Sequence, residues 1–426
     1  MKRILLFIIF FHNCSLAFVL RRGSLFATPS WSTLRPRRTT FLASEPKNPS
    51  IATQLADTNQ SESRNFRPIA QVEQFARLPV WPAWNGVVLW LVSQVFGGAL
   101  AARLEQSITG RVCPNFLDPQ QTSPFVLLVH HCHSFGRLDP LRYFQNTFFP
   151  EGFPAHFHVG FTTITYILHG GFVHRDSEGV KQVYGAEKER HGGKDVQWLF
   201  TGSGLQHEEM FDIDYANDSP LNSKQELYQI WLNVPAKYKM SPPQTLLLGG
   251  DSETPVVVVN DQQNRSSSTT RVIAGSYNGQ SSAAPLMSPA LVFHVTLTAN
   301  GVWEYTFPNA SYETAFLYVR QGSLSVAATA ESSCTLVPVH HTAYFAQSGG
   351  DSVRITSTEG TDFLLLAGAP LQEPVIASGS VVMNSQYEIQ QANNDYARGR
   401  FGQPWSHKIS DDEWERHLEQ FGPRVF

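Results

Sequence analysis

Gly152-Phe153-Pro154-Ala155-His156-Phe157-His158, running into the apolar-rich stretch Val159–Leu168, decides how this chain is read. On an extended strand residues i and i+2 share a face, so His156 and His158 aim together. Further along, Thr201–Glu209 (TGSGLQHEE) repeats the device: His207 and Glu209 share a face and Glu208 points away. Gly202 and Gly204 suit a tight turn just before that second strand. Laid side by side in a small barrel, the two strands bring three imidazoles and one carboxylate together inside. Imidazole and carboxylate without thiolate favour Fe, Mn, Ni, Cu or Zn over Ca or Mg. Four such ligands on an octahedral ion leave two positions open, one for a substrate oxygen and one for dioxygen. A single His-x-His is more often a surface or core feature than a metal site. The second i,i+2 pair is what turns the reading to a metal.

The surrounding sequence supplies the barrel. From Phe125 onward short β-rich runs (Phe161–Leu168, Val196–Leu199, Tyr228–Leu232, Leu291–Leu297, Phe363–Leu366) alternate with Gly, Pro, Asn and Asp. Many short strands with turn punctuation predict an all-β sandwich or barrel, not alternating βα units. Two such blocks occupy about 120–236 and 237–384, with a polar loop at Asp261–Thr270. Ser385-x-x-Glu388 and Ser410-x-x-Glu413 are capping-box patterns, so 385–426 reads as a helical tail. The helix opened by Ser385 needs a surface for Ile389 and Ala392. A length of 426 residues fits two to three domains at about 150 each.

Several motifs resemble one family. His156–Tyr166 (HFHVGFTTITY), His174-Arg175-Asp176-Ser177, Asp195–Trp198, Thr201–Met210 and Gln229–Asn233 are similar to the N-terminal signature of pirins. His340–Ala343, Gly350–Val353, Leu366–Val375 and Val382–Asn384 resemble the pirin C-terminal domain. The resemblance implies a bicupin, two double-stranded β-helix barrels, with one non-haem iron, Fe(II), in the first. Its ligands fall on His156, His158, His207 and Glu209, the set the strand argument picks. The second barrel has no His-x-His strand: His294 is solitary and His340-His341 point to opposite faces, so no metal is expected there. Phe157, Val159 and Thr162 stand where pirins usually carry Pro, Arg and Glu, and are expected to flank the cavity or its rim.

The N-terminus reads as targeting sequence. Lys2-Arg3, the eight apolar residues Ile4–Phe11 and the small-x-small site Ser15-Leu16-Ala17 form a signal peptide over 1–17. Residues 18–44 are Arg/Ser/Thr-rich and free of acids, like a transit peptide. Together they point to a plastid, with secretion as the alternative. Seven of the 32 Lys/Arg lie in 1–44, so the rest carries 25 against 36 acidic residues and offers no nucleic-acid footprint. Residues 45–76 read as a disordered linker. Leu78–Ala102 then holds 25 residues without a charge, enough for a bilayer-spanning helix, with 77–104 as its bounds. Pro79, Pro82, Asn85 and Gln94 dilute it, leaving a docked or membrane-surface helix as the other reading.

Other clusters are weaker. Strand alternation splits His130-His131-Cys132-His133 between two faces. The four cysteines show no C-x-x-C, which excludes a zinc ribbon or disulfide framework. Phe144, Phe148, Phe149 and Phe153 read as a lid or as core. Three functions compete: a quercetin 2,3-dioxygenase-like oxygenase acting on a small aromatic enol and O2 with Glu209 as base, a non-catalytic iron-dependent interaction module, and a regulator of an organellar enzyme. A protein partner is not specified by the sequence.

Overall fold

The computed structural model describes residues 65–74, 78–79, 92–100, 111–135, 152–214, 223–263, 265–328, 334–402 and 410–421. The leader expected over 1–44 lies outside the described residues, as do Phe144, Phe148 and Phe149.

A seven-stranded and a four-stranded sheet build each of two barrels. In the first barrel the larger sheet runs Gln244–Leu248, Val196–Phe200, Phe161–His169, Lys224–Asn233, Phe125–Ser134, Arg111–Phe116, Leu78–Pro79. Its smaller sheet runs Gly152–His158, Leu205–Phe211, Gly171–Asp176, Lys181–Gly185. In the second, Ile69–Gln74, His341–Phe345, Thr314–Gly322, Thr361–Gly368, Ala290–Leu297, Ser266–Ala274 and Val256–Asn260 face Gly301–Thr306, Ser352–Ser357, Leu324–Ala327 and Cys334–Val337. This is the bicupin expected from the sequence. Both barrels belong to one unit, Arg64–Phe426.

The two large sheets pack against each other, and that packing explains the apolar runs. Leu291, Phe293 and Val295 fill the second barrel with Trp303 and Phe363, whereas Ala290 and Val292 join Tyr166, Tyr228 and Phe316 between the sheets. A strand buried on both faces has no polar side to show. Several polar groups that enter this interface are paired, whereas the buried Tyr228 hydroxyl has no hydrogen-bond partner. Tyr166 Oη meets His294 Nδ1 (3.0 Å), His294 Nε2 meets Asp362 (3.0 Å), and Arg320 spans from Asp362 to Glu226 of the first barrel. Glu226 also accepts from His130 (3.0 Å), whose other nitrogen meets Tyr318 Oη (2.9 Å). Pairing offsets the desolvation that such buried charges would otherwise suffer.

Three boundaries differ from the sequence reading. Gln244–Leu248 pairs with Val196–Phe200, so the first barrel extends past 236 and the second begins its sheet at Val256. Residues 65–74 are not linker: Phe66 and Arg67 are buried, and Ile69–Gln74 pairs with His341–Phe345 at the edge of the second barrel. Arg67 donates to the carbonyls of Tyr312 (2.8 Å) and Gly350 (3.1 Å) and lies over the Phe307 ring. Nor is 77–104 one continuous helix. Leu78–Pro79 pairs with Arg111–Val112, and the helical turns at 92–96 and 98–100 break at Gly97, whose φ is +88°. Among the described residues no helix is long and apolar enough to cross a membrane.

At the other end the chain returns to the first barrel. Val159 exchanges backbone hydrogen bonds with Ser380 and Val382. The helix Gln386–Ala397 follows, its N-cap Ser385 accepting from the Glu388 N–H (3.3 Å). It buries Ile389 and Ala392 against Phe157, Val159, Val381, Met383 and Phe401. A second helix, Asp411–Phe421, opens with Ser410 and Glu413 capping each other reciprocally.

Candidate metal centre

Strands Gly152–His158 and Leu205–Phe211 are antiparallel neighbours, with His207 opposite His156 and Leu205 opposite His158. One nitrogen each from His156, His158 and His207 lies within 4.8 Å of the other two. His156 Nδ1 donates to the Pro154 carbonyl (2.8 Å), which turns its Nε2 toward the cluster. Neither ring nitrogen of His158 nor Nε2 of His207 has a hydrogen-bond partner, although both residues are buried. The Ser380 carbonyl is near enough to act on the charge of His158 but makes no hydrogen bond with it. An unsatisfied buried polar atom costs about 1–3 kcal/mol. A metal cation held where the three rings meet would satisfy Nε2 of His207 and one nitrogen of His158. Burial, then repulsion from neighbouring imidazoles, holds His158 and His207 well below the usual imidazole range, and burial also lowers His156. The rings therefore offer lone pairs, as metal binding demands.

Glu209 shares the barrel interior but stands outside that cluster. The register shifts between His207 and Glu209, where Glu209 pairs with Phe153. Its carboxylate accepts from Thr165 Oγ1 (3.3 Å), Tyr184 Oη (3.3 Å) and Gln229 Nε2 (3.2 Å). Burial raises its pKa against the lowering influence of His174 and those three donors. Burial, with the Glu209 charge beside it, also pushes Tyr184 well above the usual phenol value. The structure thus joins three of the four expected ligands and sets the fourth among Thr165, Tyr184 and Gln229. Sequence reading missed these three, although Gln229 lies in a quoted motif and Thr165 alternates along the strand with Thr163. Glu208 points the opposite way, to Arg175 (3.0 Å).

Aromatic rings wall the site. Phe161 and Trp231 lie 5.3 and 5.4 Å from the His158 ring, both edge-on to it. Phe157 and Val159 face away from the histidines, into the C-terminal tail, and Thr162 lies on the opposite strand face from Phe161. The expectation that these three flank the cavity is therefore corrected, since strand alternation sends them outward. Gly204, at φ +109°, leads into the His207 strand where an added Cβ would sit 2.5 Å from the Phe401 ring. His130 faces the interface, while His131 lies inside against Phe153 and Phe211. Among the described residues His156, His158 and His207 form the one cluster whose ligand atoms are placed so that they could hold a metal ion.

Facing antiparallel sheets closed into a barrel define the cupin fold, and this chain holds two such barrels, the first carrying the His-x-His strand and its His-bearing neighbour. Residues 108–232 match the pirin family and residues 292–402 the pirin C-terminal cupin domain. Pirin-1 of Arabidopsis thaliana is 31% identical over 71% of this chain and 92% of that protein. The chain belongs to the pirin family. A Vibrio cholerae protein, provisionally named a quercetin 2,3-dioxygenase, is 33% identical over 70% of this chain and 90% of its own length. The crystal structure of a quercetin 2,3-dioxygenase from Acinetobacter baumannii matches with a TM-score of 0.55 and 28% identity, covering 69% of this chain and 92% of that one.

Proposed function

We propose that the first barrel holds a divalent transition metal, iron by preference, on His156, His158, His207 and Glu209, and that the protein is a dioxygenase for a flavonol or related aromatic enol. The observation that carries this is the convergence of three charge-averse imidazoles, two of them with buried ring nitrogens that lack a hydrogen-bond partner, in a barrel that also buries the Glu209 carboxylate. Bound there, the metal would supply Lewis acidity to an enol oxygen and redox access to dioxygen.

The remaining work falls to the chain. Glu209, raised by burial, is the acceptor for the substrate hydroxyl proton, and Thr165, Tyr184 and Gln229 orient it. Phe161 and Trp231 offer flat apolar surface to an aromatic ring system. Similarity to quercetin 2,3-dioxygenases supports the substrate class. Oxygen uptake and loss of flavonol absorbance with iron-loaded protein test it. Metal binding without uptake for any flavonol would reduce the site to a metal-dependent interaction module.

The acid-free, Arg-rich sequence of 1–44 supports delivery to a plastid, with secretion as the alternative. A fluorescent fusion of residues 1–50 that stays cytosolic would overturn both. Uncharged 78–102, with Val95, Phe96 and Leu100 exposed, supports contact with a membrane surface, and full-length protein that fails to float with liposomes would overturn it.

A further inference from the structure

Behind His207 lies a second histidine that no ligand set uses. His174, on the neighbouring strand Gly171–Asp176, is fully buried. Its Nε2 lies 3.0 Å from Asp176 Oδ2, and its Nδ1 lies 3.4 Å from His207 Nδ1, long for a hydrogen bond. Asp176 is fixed on every side. Its Oδ1 accepts the backbone N–H groups of Glu178 and Val180 (both 3.0 Å), and its Oδ2 accepts the Thr245 hydroxyl (3.0 Å).

We propose that Asp176 and His174 set the tautomer of His207, so that its bare Nε2 is presented to the metal. A carboxylate only accepts, so the proton between Asp176 and His174 sits on His174 Nε2. His174 Nδ1 is then a lone pair, and the hydrogen between the two imidazoles belongs to His207 Nδ1. That leaves His207 Nε2, the nitrogen with no partner in the protein, without a proton. Asp176 and His174 are positioning residues acting through a ligand, the arrangement by which outer partners fix a metal-bound imidazole. The inference rests on the proposed metal site but makes its own statement about protons.

Asp176→Asn inverts the relay. The Glu178 and Val180 N–H groups keep the amide oxygen at the Oδ1 position, so the amide NH2 replaces Oδ2. It then donates to His174 Nε2 and to the Thr245 hydroxyl. His174 must carry its proton on Nδ1, His207 Nδ1 must accept it, and the His207 proton moves to Nε2, where the metal should bind.

The test uses full-length protein with 15N-labelled histidine and anaerobic Fe(II). Metal-free wild type should show Nε2–H on His174 and Nδ1–H on His207, and Asp176→Asn the reverse. Fe(II) should bind Asp176→Asn about 10- to 100-fold more weakly. In a His174→Phe background the same substitution should add no further loss, since the path is cut. Unchanged tautomers, equal affinity, or a loss that persists without His174 would overturn the relay. If wild type binds no Fe(II), the metal reading falls and the tautomer pattern alone decides. If Asp176→Asn fails to fold, Nε2–H on His207 in metal-free wild type is the result that refutes it.

Discussion

Phe157 stacks on Tyr396 with ring centroids 4.1 Å apart, so the strand carrying His156 and His158 is clamped from behind by the C-terminal helix. The departure from the usual pirin proline thus serves packing of the tail. Tyr396→Ala should destabilise the protein by about 2 kcal/mol, from lost ring contact and burial. Thermal unfolding measures this, and an unchanged midpoint would show that the tail contributes nothing to the strand.

Gly204 can be replaced only with strain. At φ +109° a side chain is disfavoured, and its Cβ would press into the buried Phe401 ring. Gly204→Ala should cost about 2 kcal/mol or more. Denaturant unfolding should show it as a lower midpoint with an unchanged slope.

Acid sensitivity should include a contribution from His131. Burial, then the neighbouring His133 and His130, lowers its pKa to about 3, and neither ring nitrogen has a hydrogen-bond partner. The unfolded chain protonates it near the ordinary value of about 6.5. Between those pH values the unfolded state binds the extra proton, so stability falls as pH falls from 6.5 toward 3. The slope approaches about 1.4 kcal/mol per pH unit. His131→Phe, which keeps a ring against Phe153 and Phe211, should lose that share of the slope. Equal pH profiles for the two proteins would place the titration elsewhere.

What the sequence showed depended on periodicity. His156/His158 and His207/Glu209 announce a shared face by spacing alone, and the two-face burial of Phe363–Leu366 appears as an unbroken apolar run, which His294 and Thr296 interrupt in Leu291–Leu297. Ile69–Gln74 was hidden because an edge strand half open to water needs only Ile69 and Val72 packed inward. Gln244–Leu248 was misassigned because strand partnership is a tertiary fact, and that strand completes the barrel preceding it. Spacing alone does not show what the Glu209 carboxylate meets, which a register shift beyond His207 sets beside Tyr184. His174 and Asp176 carry their own i,i+2 signal, but only the neighbouring strand shows what they face.

Glu209→Gln separates holding a metal from moving a proton. The amide still offers an oxygen but cannot take the substrate hydroxyl proton. Metal content should largely persist while oxygen uptake with a flavonol falls by about 10²- to 10⁴-fold, the usual worth of a general base. Parallel loss of metal and uptake would assign Glu209 to binding alone.

The most direct measurement is metal content per chain of full-length protein after loading with Fe(II), for wild type, His158→Ala and Glu208→Gln. Glu208 points away from the triad to Arg175, and the amide keeps an acceptor for that contact. Wild type and Glu208→Gln should each hold close to one metal per chain, and His158→Ala essentially none. Equal content in all three, or none in wild type, would contradict the metal centre.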